Sequence, residues 1–227
     1  MLNDFISLLF PNICCACGDN LHKHEKAICT SCEYTLPKTN FHLQRNNPVA
    51  QLFYGRVNIH SASALYNFSK EGKIQNLIHQ LKYKGQKNIG YEIGKLYGYE
   101  LMKCSDFNSI NTIIPVPLHK KKLKKRGYNQ CHLFAKGLAE TMNAETDFDI
   151  LERSEWNESQ TKKSRYERWK NVETVFVLKD FKKLEGKHLL LVDDVVTTGA
   201  TLDACSQVLQ QINNVKISIA TIAYANL

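Results

Sequence analysis

The sequence has few of the features that mark extended or membrane-embedded proteins. Its 43% hydrophobic and 23% charged residues exclude wholesale disorder, and its 5 prolines and 11 glycines among 227 residues exclude a collagen-like chain. No run of about 18 apolar residues is present, so no membrane insertion is expected. The first residues, MLNDFISLLFPN, lack the basic residue and the small-residue cleavage site of a secretory signal, so a cytoplasmic protein is expected.

Net positive charge is confined to two short segments. The chain has a net charge of +8, yet residues 120–126 (KKKLKKR) alone carry six positive charges. Residues 162–170 (KKSRYERWK) carry five positive charges and one negative charge, and the remaining 211 residues have a net charge of −2. Two cationic segments in an otherwise nearly neutral protein indicate a focused anion-binding site.

The cysteines are also concentrated, with five of the eight between residues 14 and 32. They include two C-x-x-C pairs separated by eleven residues, a spacing that predicts a closed, structural zinc site with four thiolate ligands. The predicted ligands are Cys14, Cys17, Cys29 and Cys32. Cys15 is left out because C-x-C is a less suitable spacing. A redox C-x-x-C is the alternative, although it would not require a second pair.

The chain divides into three predicted parts: an N-terminal zinc-binding module (1–40), a polar, irregular connector (41–58) and an α/β domain (59–227). In the last part, strand-like apolar segments alternate with helical i, i+3, i+4, i+7 patterns. Strands are predicted at 59–68, 112–116, 148–151, 172–178, 189–192 and 217–223, and helical faces at 74–81, 89–101, 131–142 and 202–212. This alternation predicts a mostly parallel, twisted sheet flanked by helices.

The segment LLLVDDVVTTGAT (189–201) carries the strongest functional signal. A buried strand ends in Asp193 and Asp194, and a short loop then begins a helix. Ligands of parallel α/β sheets bind at the carboxyl ends of strands, and a helix N-terminus offers N–H groups to phosphate. Gly199 lets the backbone approach an anion, whereas the carboxylates accept hydrogen bonds from hydroxyls. The segment therefore predicts a sugar phosphate ligand, with an ordinary strand–turn–helix capped by threonines as the alternative.

This segment resembles the phosphoribosyl pyrophosphate (PRPP) motif of the type I phosphoribosyltransferases. The resemblance implies that Asp193 and Asp194 bind the ribose 2- and 3-hydroxyls and that Mg²⁺ bridges ribose and pyrophosphate oxygens. The 5-phosphate would be held by Thr197, Thr198, Gly199, Ala200 and Thr201. Thr197 stands where the 6-oxopurine salvage enzymes place an aspartate base, so hypoxanthine and guanine are not expected as acceptors.

The two cationic segments are the expected complement of pyrophosphate. The first is interpreted as a loop after strand 112–116, whose carboxyl end can lie beside that of strand 189–192, and Asn129 can cap the helix that follows. Its candidate ligands are Lys120, Lys121, Lys122, Lys124, Lys125 and Arg126. The second lies in a long polar loop (154–171) interpreted as an active-site lid, with a hairpin carrying chance charges as the alternative. Its candidates are Gln160, Thr161, Lys163 and Arg168.

Together the motifs resemble the ComF family, zinc-bearing phosphoribosyltransferase-like proteins linked to natural transformation. The resemblance rests on the cysteine pairs, LKYKG (81–85), PVPLHKKKLKKRGYNQ (115–130), QTKKSRYERWKN (160–171) and VDDVVTTGAT (192–201), and it covers nearly the whole chain. It implies transfer of ribose 5-phosphate from PRPP to a nitrogen nucleophile, with release of pyrophosphate, and a link to DNA uptake. It also implies that Lys82 and Lys84 lie near the anion site, with an exposed helix end as the alternative.

A second hypothesis is a non-catalytic accessory protein of the competence machinery that binds single-stranded DNA through the two cationic segments and their aromatic residues. The distribution of charge fits both hypotheses. Adjacent carboxylates favour PRPP, because they would repel the phosphates of DNA. The catalytic base, the acceptor and the oligomeric state are left open by the sequence.

Overall fold

A computed structural model describes residues 12–153 and 176–226. The elements in chain order are α1 (Thr30–Thr35), α2 (Pro48–Gln51), β1 (Ser61–Asn67), α3 (Lys73–Tyr83), α4 (Asn88–Met102), β2 (Thr112–Pro115), α5 (Lys120–Arg126), α6 (Gln130–Met142), β3 (Glu145–Thr146), β4 (Leu151–Arg153), β5 (Phe176–Leu178), β6 (His188–Val196), α7 (Ala200–Leu209) and β7 (Lys216–Tyr224), with 3-10 turns at Phe41–Leu43 and Lys182–Leu184. Among these helices, none is both long enough and apolar enough to span a bilayer.

Five strands form a parallel sheet in the order β1-β7-β6-β2-β3, as the alternation of strands and helices predicts. The register places Pro115 of β2 opposite Val192 of β6. The carboxyl ends of these two strands are therefore neighbours, as expected from the sequence. A separate antiparallel pair joins β4 to β5. The strand predicted at 148–151 is shifted to 151–153. Of the strand predicted at 172–178, residues 176–178 form β5, and residues 172–175 lie outside the described ranges.

The central strand β6 is apolar on both faces because helices cover both sides of the sheet. Leu190 and Val192 belong to the apolar cluster formed with α3, α4 and α6, whereas Leu189 and Leu191 belong to the cluster formed with α7. Consecutive strand residues point to opposite faces, so a continuous apolar run is the pattern that such a strand requires.

Helices α4 and α6 pack with their backbones in contact. A methyl group at Gly94 would collide with the carbonyl group of Phe134, and one at Gly137 would collide with the carbonyl group of Tyr91. Glycine is needed at both positions because any side chain would force the two helices apart. This contact fixes α6 against α4, and the first residues of α6, Gln130 and Cys131, hydrogen-bond to residues of β6.

The first cationic segment is a helix, α5, and its prediction as a loop was wrong. Lysine and arginine are good helix formers, and the ring Nδ1 of His119 accepts the backbone N–H of Lys121 to cap the helix. Gly127, with a φ of 76°, ends it in the left-handed conformation. The cations of the last turn also complement the negative end of the helix dipole, which offsets part of their mutual repulsion.

Residues 41–58 are more ordered than the irregular connector predicted from their polar composition. Asn47 explains why: its side chain accepts two backbone N–H groups of α2 and donates to the carbonyl group of Ala62. Val49 and Phe53 are thereby buried against the sheet. Residues 12–29 also reach the core, since Cys14 and Ala16 belong to the same apolar cluster as α3 and α4.

Candidate functional site

Strand β6 carries two adjacent carboxylates to the carboxyl edge of the sheet. The strand extends beyond Asp193 and Asp194 to Val196, because Val195 and Val196 still pair with β7. Since adjacent strand residues point to opposite faces, the two carboxylates have different surroundings. Asp194 is buried, with 5% of its surface exposed, and Asp193 is partly exposed.

Three elements meet at the carboxylate of Asp194, and a fourth is linked to it through a side chain. The ammonium of Lys82, in the last turn of α3, lies 2.8 Å from Oδ1. The side-chain amide of Gln130, the first residue of α6, donates to Oδ2. The Oε1 of the same glutamine accepts a hydrogen bond from Arg126 of α5 across 2.9 Å. The carboxylate of Asp194 is thus linked through a buried glutamine to the cationic helix.

Asp193 takes neutral donors as its hydrogen-bond partners. Its Oδ1 accepts the backbone N–H of Asp194 at 2.8 Å and the thiol of Cys131 at 3.3 Å. Burial of the carboxyl group and, second, the neighbouring Asp194 carboxylate raise the pKa of Asp193 to about 7. Burial likewise raises the pKa of the Cys131 thiol well above its ordinary value. Cys131 is buried in the core like a small apolar residue, but its thiol also contacts a site carboxylate.

The turn at residues 197–199 joins β6 to α7. Gly199 has a φ of 75°, and a Cβ there would lie 3.2 Å from the ring of Phe53. The hydroxyl of Thr198 accepts the N–H of Ala200 at 3.5 Å, and Arg56 donates to the carbonyl group of Thr198 at 3.4 Å. The exposed Thr197, Thr198 and Thr201 surround the positive end of the α7 dipole, an arrangement suited to a phosphate group.

The cationic helix α5 lies at the same edge because it follows the carboxyl end of β2. Its lysines are exposed, whereas Arg126 is partly buried. The guanidinium of Arg126 lies 5.2 Å from the centre of the Tyr83 ring, and its hydrogen bond lowers the pKa of the Tyr83 hydroxyl. Asn129 caps α6 as predicted, since its Oδ1 accepts the N–H of Cys131. The predicted ligands Gln160, Thr161, Lys163 and Arg168 lie outside the described residues.

The N-terminal cysteine pairs converge on one point. The sulfur atoms of Cys14, Cys17, Cys29 and Cys32 all lie within 4.8 Å of one another. The N–H of Cys29 donates to the sulfur of Cys14 at 3.3 Å, and the N–H of Cys32 donates to the sulfur of Cys29 at 3.4 Å. Burial opposes ionisation of Cys14, but backbone donors at Cys17 and Cys29 bring its pKa down to about 7. Four clustered sulfur donors fit a tetrahedral, thiophilic metal ion, and this cluster could hold one.

Comparison with known proteins agrees with this geometry. Residues 129–226 match the family described as Phosphoribosyl transferase domain. The chain is 26% identical over 200 residues to "DNA utilization protein YhgH" of Shigella flexneri, covering 87% of this chain and 83% of that protein. It is 26% identical over 198 residues to "Competence protein ComFC" of Bacillus subtilis, covering 84% of this chain and 68% of that protein.

Among solved structures, adenine phosphoribosyltransferase from Saccharomyces cerevisiae is similar over 62% of this chain and 69% of its own, with 14% identity and a TM-score of 0.39. The parallel sheet flanked by helices, together with the domain matched at residues 129–226, gives the chain a type I phosphoribosyltransferase-like fold. Within that class, the relatives confirm the resemblance to the ComF family that the motifs predict.

Proposed function

We propose that this protein binds PRPP together with Mg²⁺ and transfers its ribose 5-phosphate to a nitrogen nucleophile, releasing pyrophosphate. The observation that carries the proposal is the succession of two carboxylates, the Gly199 turn and the start of α7 at one edge of the sheet, beside α5. The carboxylates suit the ribose hydroxyls, and the turn with the helix N-terminus suits the 5-phosphate. The cations of α5 suit the pyrophosphate.

The proposed residues act mainly through electrostatics. Departure of pyrophosphate leaves positive charge on the ribose and adds negative charge to the leaving group. The lysines of α5 stabilise that negative charge, and the carboxylates of Asp193 and Asp194 orient the ribose through its hydroxyls. Mg²⁺ carried in with PRPP supplies Lewis-acid neutralisation of the pyrophosphate oxygens. Gln160, Thr161, Lys163 and Arg168 are proposed to add donors to the same anion.

The test is the binding of PRPP and Mg²⁺ to Asp193→Asn and Asp194→Asn variants, measured by isothermal titration. Each substitution removes a charge-assisted hydrogen bond, so each should weaken PRPP binding by about 1.5–3 kcal/mol, which is roughly a 10- to 150-fold loss of affinity. Asp180→Asn is the matched control, because Asp180 is exposed in a turn outside the site. Equal affinity in all three variants and the wild type would show that the carboxylates only stabilise the turn.

Activity needs a separate experiment because the acceptor is unknown. Wild-type protein with PRPP and Mg²⁺ is screened against nucleobases and other nitrogen nucleophiles, with release of pyrophosphate as the readout. We expect release that depends on one acceptor and is abolished in Asp193→Asn/Asp194→Asn. PRPP binding without release for any acceptor would support a binding role and contradict transfer.

Single-stranded DNA binding is the second candidate function. It is favoured by the alternation of aromatic and cationic side chains at the site: Tyr83, 56% exposed, lies beside Arg126, and Lys87 lies 5.2 Å from the centre of the Tyr128 ring. Such surfaces stack bases and neutralise phosphates. The names of the competence and DNA utilization relatives agree with this role. Fluorescence anisotropy with a labelled oligonucleotide, comparing Tyr83→Ala with the exposed Tyr99→Ala as control, tests it.

We also propose that the cysteine cluster holds one structural zinc ion. Parts 1–40, 41–58 and 59–227 are proposed to act as a zinc-binding module, a connector and the PRPP-binding domain of a cytoplasmic protein. The four-sulfur donor set supports zinc, which four thiolates hold in tetrahedral geometry, and it supports a structural role because no open coordination position is left for a catalytic water.

A further inference from the structure

A closed circuit of contacts surrounds the end of α3. Lys82 contacts Asp194, Asp194 accepts from Gln130, Gln130 accepts from Arg126, and Arg126 lies beside the ring of Tyr83, the neighbour of Lys82 in the chain. The hydroxyl of Tyr128 also donates to the carbonyl group of Leu81. The backbone that carries Lys82 is therefore held between the carboxylates and the cationic helix.

The two oxygens of Asp194 differ in how firmly their partners are held. Gln130, at Oδ2, is buried at the start of α6 and also accepts a hydrogen bond from Arg126, so it is held more firmly than a partly exposed side chain. Lys82, at Oδ1, is an ammonium on a flexible four-carbon stem with 20% of its side chain exposed. Oδ1 is therefore the position where a ligand hydroxyl can replace a protein donor.

An ammonium released from Asp194 needs another anion, because leaving a cation uncompensated in a partly buried place is costly. Lys82 is close to α5 through the contact between Tyr83 and Arg126. Under the proposed function, α5 is where pyrophosphate lies. PRPP therefore brings both the hydroxyls that compete for Asp194 and the anion that accepts the displaced lysine.

We infer that Lys82 is a ligand-binding residue that changes partner when PRPP binds: it releases Oδ1 of Asp194 to a ribose hydroxyl, and its ammonium moves to the pyrophosphate. This inference rests on the proposed function. Lys82 thereby distinguishes PRPP from ribose 5-phosphate, which competes for Asp194 but offers no pyrophosphate to receive the lysine. The lysine acts as a barrier to ribose 5-phosphate and as a ligand for PRPP.

The test compares two ligands in four proteins. PRPP and ribose 5-phosphate, each with Mg²⁺, are titrated into the wild type, Lys82→Met, Lys82→Arg and Lys73→Met. Lys73→Met is the matched control, because Lys73 is an exposed lysine at the opposite end of α3. Circular dichroism and thermal melting establish that each variant is folded, and Lys82→Arg provides a charge-conserving variant if Lys82→Met melts early.

We expect the two affinities of Lys82→Met to move in opposite directions. The affinity for PRPP should fall by a factor of about ten or more, since the variant cannot form the charge-assisted hydrogen bond to pyrophosphate. Ribose 5-phosphate should bind about three- to tenfold more tightly, since its competitor for Asp194 is gone. Lys82→Arg should restore most of the PRPP affinity, and Lys73→Met should match the wild type.

Other outcomes separate the failures. Equal weakening of both ligands in Lys82→Met would overturn the inference, because it is what a purely structural ion pair produces. Binding indistinguishable from Lys73→Met would overturn it as well, while leaving the proposed function standing. Absence of PRPP binding to the folded wild type would overturn the proposed function itself, and the partner exchange with it.

Discussion

The thiol of Cys131 donates to Oδ1 of Asp193 across 3.3 Å, so a neutral donor stands beside this carboxylate, while the adjacent Asp194 faces the cation Lys82. Two neighbouring carboxylates are thus accommodated in different ways. Asp194 is compensated by an ion pair. Asp193 is a partly exposed residue, but burial of its carboxyl group and the neighbouring Asp194 carboxylate raise its pKa to about 7, which favours the protonated form.

The raised pKa predicts a pH dependence of PRPP binding. Below the pKa, Asp193 is mostly neutral and is a weaker acceptor for ribose hydroxyls; above it, the carboxylate is ionised. Affinity for PRPP with Mg²⁺ should therefore increase from about pH 6 to about pH 8 and level off above that range. Titration calorimetry at several pH values measures it. Asp193→Asn removes the titrating group, so its profile should retain only the part due to the phosphates of PRPP. Identical dependence of PRPP affinity on pH in the variant and the wild type would contradict the assignment of this pH dependence to Asp193.

The cysteine cluster predicts one zinc ion per chain. Removing two of its ligands in Cys29→Ser/Cys32→Ser should abolish zinc binding and destabilise the N-terminal part, because structural zinc sites contribute on the order of 10 kcal/mol to local folding. Cys15→Ser is the control: Cys15 is buried nearby but lies outside the cluster of four sulfur atoms. Elemental analysis should find about one equivalent of zinc in the control and none in the double variant. Zinc-free wild-type protein that melts at the same temperature as the zinc-loaded form would contradict a structural role.

Two glycines with nearly equal backbone angles predict different costs of substitution. Gly127 and Gly199 have φ values of 76° and 75°, but a Cβ at Gly127 meets open space, whereas one at Gly199 meets Phe53 and Leu52. Gly127→Ala should lower the free energy of unfolding by about 1 kcal/mol from backbone strain alone. Gly199→Ala should lower it further, because the turn must also shift away from Phe53. Thermal denaturation of the two variants gives the difference. Equal destabilisation would show that the side chains of residues 52–53 move aside at no cost in free energy.

The cationic helix α5 predicts that neutralising its lysines affects the binding of PRPP and of ribose 5-phosphate differently. Lys124→Gln/Lys125→Gln should weaken the binding of PRPP more than the binding of ribose 5-phosphate, because only PRPP carries the pyrophosphate proposed to lie against α5. Lys70→Gln/Lys73→Gln removes two exposed cations at or near the start of α3, away from the site, and should change neither affinity. If α5 binds DNA instead, both small ligands are unaffected, and the salt slope of single-strand binding falls by about 0.7 for each DNA phosphate that the variant no longer neutralises. Equal weakening of both small ligands would indicate only a general charge effect.

Much of this architecture is predictable because it depends on local periodicity. The apolar run of β6 identifies the central strand, and the doubled C-x-x-C identifies the sulfur cluster. The helix α5 was missed because dense positive charge suggested an open loop, while the cap at His119 and the left-handed Gly127 outweigh the repulsion. The order in residues 41–58 was missed because Asn47 provides it through side-chain hydrogen bonds that join α2 to Ala62 of β1.

The pairings within the site were less predictable because they join residues far apart in sequence. Resemblance placed Lys82 near the anion site, but no spacing shows that it meets Asp194, 112 positions away, since that contact depends on how α3 packs on the sheet. Arg56 gave no signal at all, because it lies in a turn after a short helix and reaches Thr198 only through the packing of Phe53 against Gly199. The sequence places Gln130 directly after the predicted helix cap Asn129. It gives no sign that the side-chain amide of Gln130 hydrogen-bonds to two charged groups, Arg126 and Asp194.

The backbone contact between α4 and α6 has a mechanical consequence for this site. With Gly94 and Gly137 in direct contact with the opposing helix, α6 has no compressible layer of side chains on which to slide or tilt. Gln130 and Cys131, at its first turn, are therefore anchored to a stiff support. Adjustment to an arriving ligand must come from rotation of flexible side chains such as Lys82 and from displacement of the short helix α5, which buries none of its own residues. The site thus combines a rigid side, formed by the start of α6, with an adjustable side, formed by Lys82 and α5.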